Sequence, residues 1–224
     1  GKSNMTSSSW ELTKQRSNYH FDNFRFDPDQ DKVTFLGNIS PFWQDELDSM
    51  IKLAMPKTWR NRGQGADRPG EEYDQEDYDL EQFGYGKDFV VSDLTWEVPE
   101  SLEKIGIWFG MDNSKMRLHV QRPGQMWNLH LDKLEKWYPE DPSRVMRVMI
   151  ALNDWEPGHF FSYGNYVHTG WRAGDVTTFD WQNIPHSTAN AGHGPRVTLQ
   201  LTGVVTDRTR DFLRKLRSKS PYRV

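Results

Sequence analysis

The 224-residue sequence contains no cysteine. That absence excludes a disulfide scaffold, thiolate zinc sites, iron–sulfur ligation and a cysteine nucleophile, so any metal must sit on His and carboxylate. No apolar run approaches the ~18 residues a membrane helix needs, and no membrane partner is expected. The opening Gly1–Ser9 lacks the apolar core of a signal peptide, so a cytoplasmic location is expected. Charge of one sign is lacking too: 28 Lys+Arg against 32 Asp+Glu leave −4, which declares no partner. What is present is core-forming material. Hydrophobic residues make up 35%, ten are Trp, and with the 17 glycines the apolar share is about 43%, close to that of globular chains. At about 150 residues per domain the expectation is one domain over 1–224.

Val33–Gly37 reads as a short strand, and Ser40-Pro41 supplies an N-cap and first-turn proline for a helix to about Met55, with Trp43, Leu47, Met50, Ile51 and Ala54 as its apolar stripe. From about 57 to 87 the pattern collapses into Gly, Pro and charge, and residues 71–81 alone carry seven acids. A loop this long is either a solvated excursion or a lid carrying Tyr73, Tyr78 and Tyr85. A second helix is expected from Pro99 to Phe109, with Leu102, Ile105 and Trp108 on one side. The period then changes to two. Met116, Leu118 and Val120 alternate with Arg117, His119 and Gln121, as in a strand with one apolar face. Further strands are expected at 144–152, 166–171, 175–180 and 196–205, separated by turn signals such as Glu156-Pro157-Gly158 and Ala173-Gly174-Asp175. Helices followed by closely spaced strands predict a mainly β chain: a helical and loop segment over 1–112, a β-barrel or double-sheet jelly roll over about 113–206, and a helix over about 207–224. The tail from Arg208 to Arg223 has seven basic residues and one acid. It is either a helix docked through Phe212, Leu213 and Leu216 with a solvated basic face, or a contact for nucleic acid or a ribosome.

In His130-Leu131-Asp132 an extended backbone places imidazole and carboxylate on one face. His186, after a strand and a turn, is the candidate third ligand. Two His and one carboxylate on one face of a divalent ion leave three positions free, the arrangement suited to non-haem Fe(II) and oxygen chemistry. The strand period places Arg196, Thr198, Gln200 and Thr202 together, opposite Val197, Leu199 and Leu201. An inward Arg wants a carboxylate, which is either a bound ligand's or a protein acid across the sheet. Arg117, His119 and Gln121 read either as cavity residues or as a barrel rim. Trp127, Tyr163, Tyr166 and Trp171 read either as substrate-pocket lining or as packing. His159, His168 and His193 lack an Asp two residues on and read as structural; His20 carries no signal.

The set His130, Asp132, His186, Arg196 and Thr198 resembles the signature of the Fe(II)- and 2-oxoglutarate-dependent oxygenases: His-x-Asp, some fifty residues, His, then about ten to an Arg followed at two by Ser or Thr. Trp171–Phe179 also looks like the strand and Gly-Asp turn that precede the family's distal His. The runs Gln125–His130 and Pro185–Asn190 are similar to a phage-encoded subgroup. The resemblance spans about residues 116–205. It implies a double-stranded β-helix fold with Fe(II) on His130, Asp132 and His186, and a 2-oxoglutarate C5 carboxylate held by Arg196 and Thr198, with Arg117 a further cosubstrate contact. It implies O2 chemistry coupling substrate C–H oxidation to decarboxylation of 2-oxoglutarate to succinate and CO2. For the substrate, a peptide or protein side chain or an amino acid is expected, with Gln121, Trp127, Tyr163 and Trp171 as candidate contacts. A nucleobase oxygenase is the alternative within the class. Outside it stand a non-catalytic jelly-roll binding module, suggested by the ten Trp, and last a glycosidase, for which no facing carboxylate pair is evident.

Overall fold

The computed structural model describes residues 33–59, 88–164 and 166–219. The acidic segment 71–81, the loop tyrosines Tyr73, Tyr78 and Tyr85, His20 and the last residues of the basic tail lie outside that range.

Eleven strands and three α-helices follow one another among the described residues: β1 (Thr34–Asn38), α1 (Leu47–Leu53), β2 (Met55–Thr58), β3 (Val90–Thr95), α2 (Glu100–Phe109), β4 (Asp112–Gln121), β5 (Met126–His130), β6 (Val145–Ala151), β7 (His159–Tyr163), β8 (Tyr166–His168), β9 (Asp175–Thr178), β10 (His186–Asn190), β11 (Arg196–Val204) and α3 (Asp207–Lys219). They form two antiparallel sheets. One has the order β1-β9-β6-β11-β4-β3-β2, the other β5-β10-β7-β8. The last eight strands cross between the sheets at every step except β7 to β8, so that four lie in each, which is the double-stranded β-helix, or jelly roll.

The strand β11 shows why the layers form. It lies between β4 and β6, and all nine of its residues are buried. Its apolar positions Val197, Leu199 and Leu201 face the helices and join Leu118, Val120, Val148, Ile150 and Val176. On the helix side that core is completed by Trp43, Met50, Leu102, Ile105, Phe109 and Leu216. Each such side chain stabilises the fold by roughly 1.5–3 kcal/mol through burial. The polar positions of β11 face the smaller sheet instead. Register pairs Arg196 with Gln121, Thr198 with His119 and Gln200 with Arg117 on β4, and Thr202 with Arg147 on β6. A polar stripe from three neighbouring strands therefore faces into the barrel.

Several local expectations are corrected. The first helix does not begin at Ser40-Pro41: a short 3₁₀ turn, Gln44–Glu46, leads into α1, which ends at Leu53 without a side-chain cap. Met55 to Thr58 instead pair with β3: Pro56 has no N–H with which to continue the helix, and the sheet edge takes the remaining backbone groups. In α2 the buried residues are Leu102, Ile105 and Phe109, whereas Trp108 is 38% exposed and packs at the surface between Phe42 and Phe212. The strand expected at 166–171 stops at His168, before Gly170 with φ of 70°. The basic tail forms α3, which packs through Phe212, Leu213 and Leu216 and leaves Arg208, Arg210, Arg214, Lys215, Arg217 and Lys219 exposed.

Candidate metal centre and cavity

His130 is the last residue of β5 and His186 the first of β10, and these two residues are register partners in the smaller sheet. Sheet pairing thus brings together residues 56 positions apart, with ring centroids 4.4 Å from one another. Asp132 lies just past β5, where its backbone N–H donates to the Trp181 carbonyl at 3.1 Å. One ligand atom from each of the three residues can lie within 4.8 Å of the others. Asp132 Oδ1 is 3.3 Å from His130 Nε2 and 3.2 Å from His186 Nε2.

The tautomers follow from the backbone. His130 Nδ1 is 2.6 Å from the Asn128 carbonyl and His186 Nδ1 is 3.0 Å from the Ile184 carbonyl. A carbonyl only accepts, so each Nδ1 carries a proton and each Nε2 of a neutral ring presents a lone pair. Burial, and then His186 beside it, lowers the His130 pKa and favours that neutral ring. Burial pushes the Asp132 carboxyl up, but His186 and Arg147 outweigh it and hold the group well below the usual carboxylate range. Two imidazole Nε2 atoms and a carboxylate oxygen therefore converge on one point. This donor set fits a divalent cation, and two carbonyl-anchored imidazoles are what orient metal ligands.

The three residues open on a cavity of about 350 Å³, whose wall includes Arg117, His119, Gln121, Thr198 and Arg196 from the polar stripe. Phe161, Phe179, Met149, Trp127 and Thr188 contribute the opposite and lateral surfaces. Arg196 is 9% exposed and its Nε has no hydrogen-bond partner. Its guanidinium carbon lies 4.8 Å from the Trp171 ring and 6.0 Å from that of Phe161. Among the described residues it makes no ion pair, so the protein acid across the sheet is not there. Burial lowers its pKa to about 10, still cationic at neutral pH. A buried cation on a cavity wall without a counter-charge is a site for an anionic ligand.

The remaining candidates divide. Arg117 lines the cavity, donates from Nε to His119 Nε2 at 3.1 Å and packs over Trp96 at 5.0 Å. Gln121 lines it too, with Nε2 donating to Thr188 Oγ1 at 3.0 Å and a buried Oε1 that lacks a partner. Trp127 stands 5.8 Å from the His130 ring and 5.9 Å from Trp59. Tyr163 and Trp171 are not on this wall. Tyr163 is 2% exposed in a cluster with Phe161, Phe179 and Trp181, and its hydroxyl accepts the Asp180 N–H at 2.6 Å. Trp171 lies beneath Arg196 and beside His159 and His168, so it supports the guanidinium from the far side. Both residues pack behind the wall instead: Tyr163 ends β7 with its hydroxyl tied to Asp180, and Trp171 lies past β8 under the Arg196 guanidinium.

Arg147 was not anticipated. It is 5% exposed, lines the cavity, and its Nη1 donates to Asp132 Oδ2 at 2.9 Å. A signal for it existed: it is the one charge inside the apolar strand 145–151.

No family model and no curated relative matches the chain. Among solved structures it is similar to a prolyl-4-hydroxylase from Pseudomonas putida, with 20% identity, 51% of this chain and 72% of that one covered, and a TM-score of 0.39. A viral collagen prolyl hydroxylase from Paramecium bursaria Chlorella virus-1, in complex with 2-oxoglutarate, is similar at 16% identity, 50% and 79% coverage and a TM-score of 0.37. A predicted oxalate decarboxylase from Thermotoga maritima matches at 15% identity, 69% and 96% coverage and a TM-score of 0.36. Likenesses this distant say nothing about the reaction.

Proposed function

We propose that the protein is an Fe(II)- and 2-oxoglutarate-dependent dioxygenase, a hydroxylase of a peptide or protein side chain or of an amino acid. The observation that carries this reading is one cavity holding both the convergent ligand atoms of His130, Asp132 and His186 and the buried guanidinium of Arg196, which makes no ion pair among the described residues. His130 Nε2, His186 Nε2 and Asp132 Oδ1 would hold the iron. Arg196, with the Thr198 hydroxyl two residues on, would take a carboxylate of the keto acid as a charge-assisted pair. When bound, iron and 2-oxoglutarate supply O2-dependent C–H oxidation coupled to release of succinate and CO2. The chain supplies the rest. The Asn128 and Ile184 carbonyls hold a proton on each Nδ1 and so turn each Nε2 toward the metal, and Phe161, Phe179, Met149 and Trp127 line the space with apolar surface that excludes water. We place the activity in the cytoplasm, with the exposed basic face of α3 as the surface for an acidic partner such as nucleic acid or a ribosome.

Anaerobic titration with Fe(II) and then 2-oxoglutarate tests the reading through the weak visible charge-transfer band of a chelated keto acid. The wild-type protein should develop the band and His186→Ala, still folded, should not. No band in a folded wild-type protein would overturn the proposal and leave a non-catalytic binding module in its place.

A further inference from the structure

Asp132 has two carboxylate oxygens, and the structure assigns them different work. Oδ1 faces both imidazoles, whereas Oδ2 accepts from Arg147 Nη1 at 2.9 Å. Asp132 stands beyond the end of β5, so no strand packing sets the rotation of its carboxylate. Arg147, by contrast, is rigidly placed. It lies inside β6 opposite Thr202 of β11, its Nε donates to Thr202 Oγ1 at 2.8 Å, and its side chain is 6% exposed. A planar guanidinium pinned at Nε can aim its remaining N–H groups in one direction only.

We propose that Arg147 is a positioning residue that keeps Asp132 a one-oxygen metal ligand. The inference rests on the oxygenase reading. Two imidazoles and one carboxylate oxygen take three of six positions around the ion. Were Oδ2 free to turn inward, the carboxylate would take a fourth, leaving two where a chelating keto acid and one further ligand need three. Arg147 thus protects the capacity of the site for cosubstrate rather than its hold on the metal. The Thr202 hydroxyl serves the same end by fixing Arg147.

The test separates those two quantities in the full chain under anaerobic conditions. Mn(II) affinity is measured by calorimetry, and the 2-oxoglutarate requirement by titrating the Fe(II) charge-transfer band. Arg147→Met should bind Mn(II) as tightly as wild type or tighter, yet need roughly 10–100-fold more 2-oxoglutarate. Arg147→Lys, which keeps the charge but not the fork, should recover part of that loss. Thr202→Val, a milder change that keeps Arg147, should raise the requirement by a smaller factor and serves if Arg147→Met does not fold. A 2-oxoglutarate requirement within twofold of wild type in folded Arg147→Met or, failing that variant, in Thr202→Val overturns the assignment. So does parallel loss of metal and cosubstrate binding in a folded variant, the mark of a merely structural residue. Absence of the band in the wild-type protein would instead overturn the oxygenase reading, and this assignment with it.

Discussion

At Arg196 the physics of a single side chain makes a quantitative statement. A guanidinium 9% exposed and with no ion pair among the described residues lies against the Trp171 and Phe161 faces, and on the proposed reading a ligand carboxylate balances its charge. On the oxygenase reading, replacing it by Ala would remove a charge-assisted bond to the cosubstrate worth about 1.5–3 kcal/mol, or roughly 10–150-fold in affinity. Arg196→Ala should therefore shift the 2-oxoglutarate titration of the charge-transfer band by that factor while leaving Mn(II) binding, measured by calorimetry, near the wild-type value. Equal 2-oxoglutarate affinity in the two proteins would remove Arg196 from the site. The residue was recognisable from the strand period alone, since Arg196, Thr198, Gln200 and Thr202 alternate with three aliphatics. Arg147 was harder to read because its partner, Asp132, lies just past β5 of the other sheet, and no local pattern reports a contact across a barrel.

Among the elements, β9 and the turn before it show how much rests on one backbone position. Gly174 has φ of 90°, its N–H donates to the Ala151 carbonyl, and its carbonyl accepts from Ile39 N–H. The turn therefore ties β1 to the end of β6. A Cβ at Gly174 would meet the Ile39 carbonyl oxygen head-on, in a conformation that side-chain-bearing residues avoid. Gly174→Ala should lower stability by about 2 kcal/mol or more, read as a reduced urea midpoint with an unchanged slope. A midpoint equal to wild type would mean that the turn relaxes freely. This Gly-Asp turn was visible in the sequence as Ala173-Gly174-Asp175. The strands β2, β3, β5, β7 and β10 were not, because short segments such as Met55–Thr58 owe their conformation to a neighbouring edge rather than to their own alternation.

Across the whole molecule, acid should destabilise the fold in a predictable window. Burial, and then Arg196, lowers the His168 pKa to about 4, and burial, then Arg117 and Arg147, lowers His119 well below its ordinary 6.5. Both rings stay neutral in the folded protein while the unfolded chain takes up their protons near pH 6.5. The unfolded state then binds more protons, so stability present above pH 6.5 is lost as pH falls toward 4. His168 alone contributes about 3 kcal/mol of that loss. The midpoint of thermal unfolding should therefore drop steadily from pH 7 to pH 4, and His168→Gln should flatten the slope. A pH-independent midpoint over that range would contradict the assignment of buried neutral rings. No helix among the described residues is long and apolar enough to cross a membrane.

Periodicity and residue chemistry were enough to predict a β-rich chain, the inward face of β11 and the shared face of His130 and Asp132, because alternation is a local property; His186 was a candidate, and sheet register sets it beside them. Which tyrosine or tryptophan reaches the cavity, where α1 begins, and which arginine holds Asp132 were settled by packing between segments distant in the chain. Tyr163 and Trp127 have similar local surroundings in the sequence, yet one is walled behind Phe161 and Phe179 and the other stands beside His130. Closure of two sheets around a shared interior makes that difference, and it depends on register and curvature that no single strand carries.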